Sequence, residues 1–490
     1  MMNDLVLSED GHAVQADDYH DDEDWYQNRP GDEISSPKGV GFRPRRGSKA
    51  KYLIILGVVL IVGGFAIAMS GGKSEDAAGS MPANGSGGSS GGGSNSGGSN
   101  SGGSNSGTNP PTSLEDGVFD YLTQFVDKKI LLDDKSYTFS AYNWLMKNSD
   151  IQIYGDSRIR QRFALASIYY ATNEGLNSWV RDDGWISDQD ECSWTGVRCD
   201  NGNIVGLNLT SNGLKGVFPM EVTMLKKHLL ALELDDNELI NEDQELRWIG
   251  QMSKLRLLDF EDTGFTAEGI PSYIGRLTDL RILEMANSNI VGDFDGSIFK
   301  NLKQLVYLDI GGILFNNTLP DEITQIPRLE ALYAYDCGFE GELESFLPKF
   351  KEIQEIWLDD NKFSGQFPKA LSHVSTLASL SLSNNALSGS LPTELGLLTN
   401  MEQLWLFGNV FSGDIPSEIG AMTSLQILGL EDNNMQNVTM PNEICDLGLV
   451  ALGADCKSAV ACSSDCCTCC EPPCPIAKLR TPDRRALLGF

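Results

Sequence analysis

From Ile204 to Pro441 apolar and polar positions recur with a period of 24 to 26 residues. Each copy reads apolar-x-x-apolar-x-apolar-x-x-anchor-x-apolar-x-Gly-x-apolar-Pro. Three apolar columns run through the copies, from Ile204 to Leu425, from Leu207 to Leu428 and from Leu209 to Leu430. The anchor is Asn212, Asn237, Thr263, Ser288, Ile313, Cys337, Asn361, Asn385, Asn409 and Asn433, which makes ten copies. Alternating apolar residues put one side of a short strand into a core. Stacked copies then build a parallel sheet along a concave wall, an α/β solenoid over 204–441. An inward amide at the anchor satisfies backbone groups where the chain turns. Thr263, Ser288 and Cys337 substitute weakly. Ile313 offers no hydrogen bond, so the fifth copy is expected to be loose there.

The copy ends Gly365-Gln366-Phe367-Pro368, Gly389-Ser390-Leu391-Pro392 and Gly413-Asp414-Ile415-Pro416 turn the chain to the convex side. They resemble the plant-specific class of leucine-rich repeat, as in polygalacturonase-inhibiting proteins and plant receptor-like proteins. The fourth and sixth copies (Gly292-Asp293-Phe294, Gly341-Glu342-Leu343) lack the proline, so their convex side is expected to differ.

Before the repeats, Leu114–Leu132 and Arg158–Thr172 have helical apolar spacing, the second with Ile159, Phe163, Ala166 and Tyr170 on one face. Trp179 follows, then Cys192-Ser193-Trp194-Thr195-Gly196-Val197-Arg198-Cys199. This stretch resembles the N-terminal cap of plant-type repeat proteins. The run Arg160–Asn173 is similar to the segment before the cap in receptor-like repeat proteins of diatoms. The resemblance covers roughly 140–470. It implies a helical N-terminal cap over 113–203 and a Cys192–Cys199 disulfide sealing the first repeat, since an uncapped terminal repeat exposes core.

None of the 11 cysteines precedes Cys192. Eight of them, Cys445, Cys456, Cys462, Cys466, Cys467, Cys469, Cys470 and Cys474, crowd into 442–474. They read as a disulfide-tied C-terminal cap in an oxidising compartment, with a sulfur-rich metal site as the rival. Sequence does not choose among their pairings. Cys337 is left over and reads as a buried structural thiol.

The first 51 residues form an acidic tail without a core, with eleven acids among the first 33. Tyr52–Met69 is apolar, and at about 1.5 Å per residue spans about 27 Å, one hydrocarbon core. Arg43, Arg45, Arg46, Lys49 and Lys51 precede it, so a single-pass signal-anchor with a cytosolic N-terminus is expected at the plasma membrane. A signal peptide cleaved after Ala66-x-Ala68 is the rival, with an unusually long charged region. Residues 84–107 are only Gly, Ser and Asn. The linker 70–112 would behave as a coil of about 36 Å end to end. Residues 475–490 read as a tail.

A net charge of −31, from 68 acidic and 37 basic residues, argues against a nucleic-acid partner. The four histidines have no nucleophile or acid at recognisable spacing, and no phosphate-cradling loop occurs. The chain is not read as an enzyme, and no cofactor or metal is implied. Residues between the apolar columns point out of the concave wall. One such column runs Asn208, Glu233, Asp259, Glu284, Asp309, Tyr333, Trp357, Ser381, Trp405, Gly429; its neighbour includes Asp235, Glu261, Tyr335, Phe407 and Glu431. Tyr333, Tyr335, Trp357, Trp405 and Phe407 are expected to be an exposed aromatic patch that contacts ligand. Glu233, Asp235, Asp259 and Glu261 form an acidic half, which is a solvated face, steers a cationic partner or holds calcium loosely. Sequons at Asn84, Asn208, Asn316 and Asn437 are candidate glycosylation sites. The expected function is cell-surface recognition of an extracellular protein, peptide or polysaccharide, without a kinase of its own and with a co-receptor kinase as possible partner. An adhesive wall-binding protein and an inhibitor of a secreted polysaccharide hydrolase are the alternatives.

Overall fold

In the computed structural model the described residues are 6–7, 13–14, 114–147, 151–173, 175, 177–241, 246–315, 317–455, 460–462 and 466–467. The chain divides into two units, Met1–Thr108 and Asn109–Phe490. Within the first, Val6–Leu7 pairs antiparallel with Ala13–Val14. The apolar run 52–69, the linker and the tail 475–490 lie outside the described residues. Among those described, no helix is long and apolar enough to cross a membrane.

The second unit is built on a twelve-stranded sheet. Its strands are β1 (Val197–Asp200), β2 (Asn203–Asn208), β3 (Ala231–Glu233), β4 (Leu257–Asp259), β5 (Ile282–Glu284), β6 (Tyr307–Asp309), β7 (Ala331–Tyr333), β8 (Glu355–Trp357), β9 (Ser379–Ser381), β10 (Gln403–Trp405), β11 (Ile427–Gly429) and β12 (Ala451–Gly453). β2 to β12 are parallel and stack in chain order, so Leu258 of β4 lies between Leu232 and Leu283. The three apolar columns fill a continuous core behind the sheet. β1 is antiparallel to β2 and closes the first edge. The sheet continues past Pro441: β12 places Leu452 beside Leu428, and Leu452 and Ala454 continue two core columns beyond the span read as repeats. That coil was hidden because its flanking segments are cysteine-rich and lack the Gly-x-apolar-Pro ending.

Each strand leaves through a left-handed residue just before the anchor: Ser211, Asp236, Asp262, Asn287, Gly312, Asp336, Asp360, Asn384, Gly408 and Asp432. Asn, Asp and Gly tolerate this conformation best. The asparagine anchors then work as bridges between coils. Asn409 Nδ2 donates to Leu382 O in the previous coil and to Leu406 O in its own, while its Oδ1 accepts from Leu387 N. Ile313 is fully buried rather than loose. Its neighbours take over: Ser288 Oγ donates to Met285 O at 2.5 Å, and Cys337 Sγ donates to Ile310 O at 3.1 Å.

Flanking strands, such as Glu340–Glu342, Lys362–Gln366, Ala386–Gly389 and Val410–Phe411, form further short parallel sheets beside the main one. The glycine of the copy ending has positive φ in these strands, +85° at Gly365, which explains the fixed residue. The following prolines cap short 3-10 helices on the convex side, as Pro392 does for Thr393–Leu397. In the fourth copy Asp295 replaces proline, its carboxylate accepting from Ser297 N, and the helix Gly296–Lys300 keeps its length. In the sixth the helix shortens to Leu347–Lys349.

Among the described residues four α-helices precede the sheet: α1 (Leu114–Leu122), α2 (Lys128–Leu131), α3 (Tyr137–Lys147) and α4 (Asp156–Thr172). The single helix expected over 114–132 is broken, because Asp127 caps a new one by accepting from Lys129 N. Ile159, Phe163 and Ala166 are buried as expected, but so are Gln161 and Arg162. Gln161 joins α4 to the sheet edge by accepting from Ile204 N and donating to Gly202 O. The Cys192–Cys199 disulfide is present, and Cys445–Cys466 and Cys462–Cys467 are also joined. Cys456, Cys469, Cys470 and Cys474 lie outside the described residues. Cys337 is buried and unbonded to sulfur, and burial pushes its thiol well above the usual range.

At the seam between helices and repeats Glu221 is buried, its Oε2 accepting from Tyr137 OH at 3.0 Å. Burial raises this carboxyl from 4.5 to about 6. Both folded and unfolded chains hold the proton below 4.5, so the contribution is complete there. It is lost as pH rises through about 6, at a cost of about 2 kcal/mol. Thermal unfolding at pH 4 and 7 should show this loss, and Glu221→Gln should remove it. An equal loss in that variant would refute the assignment.

Candidate recognition face

The side of the sheet turned away from the core is the concave face of the sequence reading. It carries a second apolar cluster of Ala231, Leu257, Ile282, Tyr307, Ala331, Tyr333, Trp357, Trp405 and Ile427, with Tyr335 and Phe407 packed against it. The rings run along the coils: Tyr307 and Tyr333 have centroids 5.0 Å apart, Tyr333 and Trp357 6.0 Å, Trp357 and Trp405 4.8 Å. Trp357 and Trp405 meet across the intervening coil because the residue there is Ser381, which is itself buried.

The expected exposed patch is therefore corrected. Tyr333, Trp357 and Trp405 are 4%, 8% and 3% exposed and form a floor, whereas Tyr335 and Phe407 are half-buried. The cause is strand spacing: rungs about 4.8 Å apart press large neighbouring side chains together. Small residues let the rings lie down. A Cβ added to Gly311 would fall inside the Tyr335 ring, and one on Gly429 would come within 3.2 Å of Phe407. Tyr333 OH donates to Glu355 Oε2, and burial raises both the Tyr333 and Tyr307 hydroxyls well above the usual range. Beside Gly429 two buried polar atoms, Trp405 Nε1 and Glu431 Oε2, have no hydrogen-bond partner among the described residues. Burial also raises the Glu431 carboxyl.

The acidic half sits on the same face. Glu233 Oε2 accepts from Asn208 Nδ2 at 2.9 Å, and Asp235 Oδ1 from Thr210 Oγ1 at 2.6 Å. Asp259, Glu261 and Glu284 bring carboxylate oxygens within 4.8 Å of one another, a spacing that could hold a cation. Asp259 and Glu284 are buried rather than solvated. The column Ala231, Leu257, Ile282, Tyr307, Ala331 was missed in the sequence. Its signal is the period of two, which places the residue two before Glu233 or Tyr333 on the same face.

Of the sequons, Asn84 and Asn316 lie outside the described residues. Asn208 is engaged by Glu233, and Asn437 is exposed with Thr439 also exposed.

Comparison of the sequence with known proteins agrees with the repeat architecture. The Leucine Rich Repeat family profile matches residues 376–398. The receptor protein-tyrosine kinase CEPR1 of Arabidopsis thaliana is 30% identical over 179 residues, 35% of this chain and 17% of that protein. Receptor-like protein 9DC1 of Solanum pimpinellifolium is 26% identical over 178 residues, 35% of this chain and 20% of that protein. Among solved structures, the ectodomain of the Arabidopsis thaliana membrane receptor kinase GASSHO1/SCHENGEN3, in complex with CASPARIAN STRIP INTEGRITY FACTOR 2, is 27% identical with TM-score 0.49, covering 56% of this chain and 33% of that one. The solenoid is a leucine-rich repeat domain. More narrowly, the chain is similar to plant-type leucine-rich repeat receptor-like proteins, and it spans about a fifth or less of the two curated relatives' lengths.

Proposed function

We propose that this chain is a cell-surface receptor-like protein that binds a peptide on the concave face of its repeats. It would be held at the plasma membrane by residues 52–69 with the acidic tail in the cytosol, and would signal through a co-receptor kinase. The helices of 114–172 and the Cys192–Cys199 loop serve as the cap of the first coil. One observation supports the recognition role most. The concave face carries a second apolar cluster with half-buried Tyr335 and Phe407 packed against it, and Phe407 stands beside a donor and an acceptor, Trp405 Nε1 and Glu431 Oε2, that have no partner among the described residues. Aromatic anchors beside buried polar groups suit a peptide, whose backbone supplies both a carbonyl and an amide.

The floor and the rim separate folding from binding. Peptides selected from a display library on the full chain should lose about 100-fold in affinity for the Tyr335→Ala/Phe407→Ala double variant, with the melting temperature nearly unchanged. Undiminished affinity would refute the site.

A further inference from the structure

We propose a second binding site, for an acidic polysaccharide, on the flank of the solenoid at the third to fifth coils. A depression of about 500 Å³ there is lined by Arg256, Arg281, Lys303, Thr278, Asn301, Gln304 and Asp279. Every lining side chain is polar. The site therefore offers hydroxyl, amide and cationic partners together, which suits a sugar bearing sulfate or carboxylate.

Its charge is unbalanced. Arg281 N donates to Arg256 O, so the two arginines occupy adjacent rungs about 4.8 Å apart. Like charges so placed repel. Among the described residues, neither these arginines nor Lys303 has a carboxylate at ion-pair distance. The column beside them is satisfied internally. Lys254 Nζ pairs with Asp279 Oδ2 at 3.4 Å, and Arg328 Nη1 donates to Gln304 Oε1 at 3.0 Å. Asp279 is thus already engaged, and Arg328 extends the cationic strip to a further coil.

The chain's charge of −31 opposes a polyanion only at long range. At physiological salt that repulsion is screened beyond about 8 Å, so the local cations decide binding. Arginine forks match sulfate and carboxylate oxygens in pairs. This site does not depend on the concave-face reading, and substitution of Tyr335 and Phe407 should leave it intact.

The test measures the full chain binding to immobilised dextran sulfate, polygalacturonate and uncharged dextran. One of the two acidic polymers should bind and dextran should not; which one binds identifies the anion. Arg256→Gln/Arg281→Gln/Lys303→Gln should weaken that binding at least about tenfold and flatten its salt dependence. Lys226→Gln/Lys227→Gln/Lys369→Gln, with the same charge change at exposed lysines outside the depression, should leave it within about twofold. Binding that survives the first variant, falls equally in both variants, or is absent for both acidic polymers overturns the proposal. So does tighter binding of a sulfated or phosphorylated peptide at the same residues.

Discussion

Replacing Arg162 by Met should release helix α4 from the first coil at a cost of about 3–5 kcal/mol. Arg162 is wholly buried, and its guanidinium lies 5.0 Å from the Trp144 ring, 5.4 Å from Tyr154 and 5.2 Å from Trp194. Nη1 donates to Glu191 Oε2 at 3.0 Å and to Gln189 O at 2.9 Å, and Nη2 donates to Ser187 O at 2.7 Å. One side chain thus ties α4 to the loop that the Cys192–Cys199 disulfide closes. Met fills much of the space but leaves two carbonyls without donors and Glu191 with less countercharge. Arg158 still reaches Glu191 at 3.1 Å, which keeps the loss from being larger. Lys would keep the charge but has no planar fork for the three acceptors and the rings, so it should rescue only part. Hydrogen exchange along Arg158–Thr172 should accelerate by about two to three and a half orders of magnitude in Arg162→Met, the equivalent of that loss. Adding Glu191→Gln should recover some of that protection, since it removes the stranded charge. Unchanged exchange in the single variant would show that α4 is held by apolar packing alone.

Arg162 also marks the limit of what the sequence disclosed. The repeats were legible because Leu207, Leu232 and Leu258 recur with an anchor a fixed distance on, and one-dimensional stacking makes period and contact equivalent. The helices were legible only in part. α4 shows its apolar face through Ile159, Phe163 and Ala166, but nothing local says that Arg162 goes inward, since its partners Ser187, Gln189 and Glu191 lie 25 to 29 residues away. On the concave face the aromatic residues lie on the side of the sheet that the pattern assigns them, but most of them are buried rather than exposed. Exposure there depends on the neighbouring coil: Ser381 admits contact between Trp357 and Trp405, and Gly311 admits the Tyr335 ring. Such cross-coil pairs can be read only after the register is fixed. The flank was overlooked for a related reason, because Arg256 and Arg281 are unremarkable singly and become a patch only when stacked.

The second large effect concerns the anchor column, where substitution of Asn361 by Ala should cost about 3 kcal/mol. Asn361 Nδ2 donates to Ala334 O, Leu358 O and Asp359 O, and its Oδ1 accepts from Cys337 N and Phe339 N. Not all five groups would be stranded. Leu358 O also accepts from Asn385 Nδ2, and Asp359 O from Asp336 N. Among the described residues Ala334 O, Cys337 N and Phe339 N have no such reserve, and each stranded group costs about 1 kcal/mol or more. Ile313 shows why an apolar anchor can nonetheless persist elsewhere. The carbonyls it fails to engage, Met285 O and Ile310 O, are met by Ser288 and Cys337. No hydroxyl or thiol anchor flanks Asn361 on its far side, where Asn385 is already committed to Leu358, Leu382 and Ser383. Ser288→Ala, which removes one hydroxyl bond, should cost only about 1 kcal/mol. Urea unfolding of the two variants under the same conditions gives the comparison. Equal midpoints would mean that the column works through packing volume rather than hydrogen bonding. A lower midpoint for Asn361→Ala would show that the amide bridges hold consecutive coils in register, and with them the rings of the recognition face.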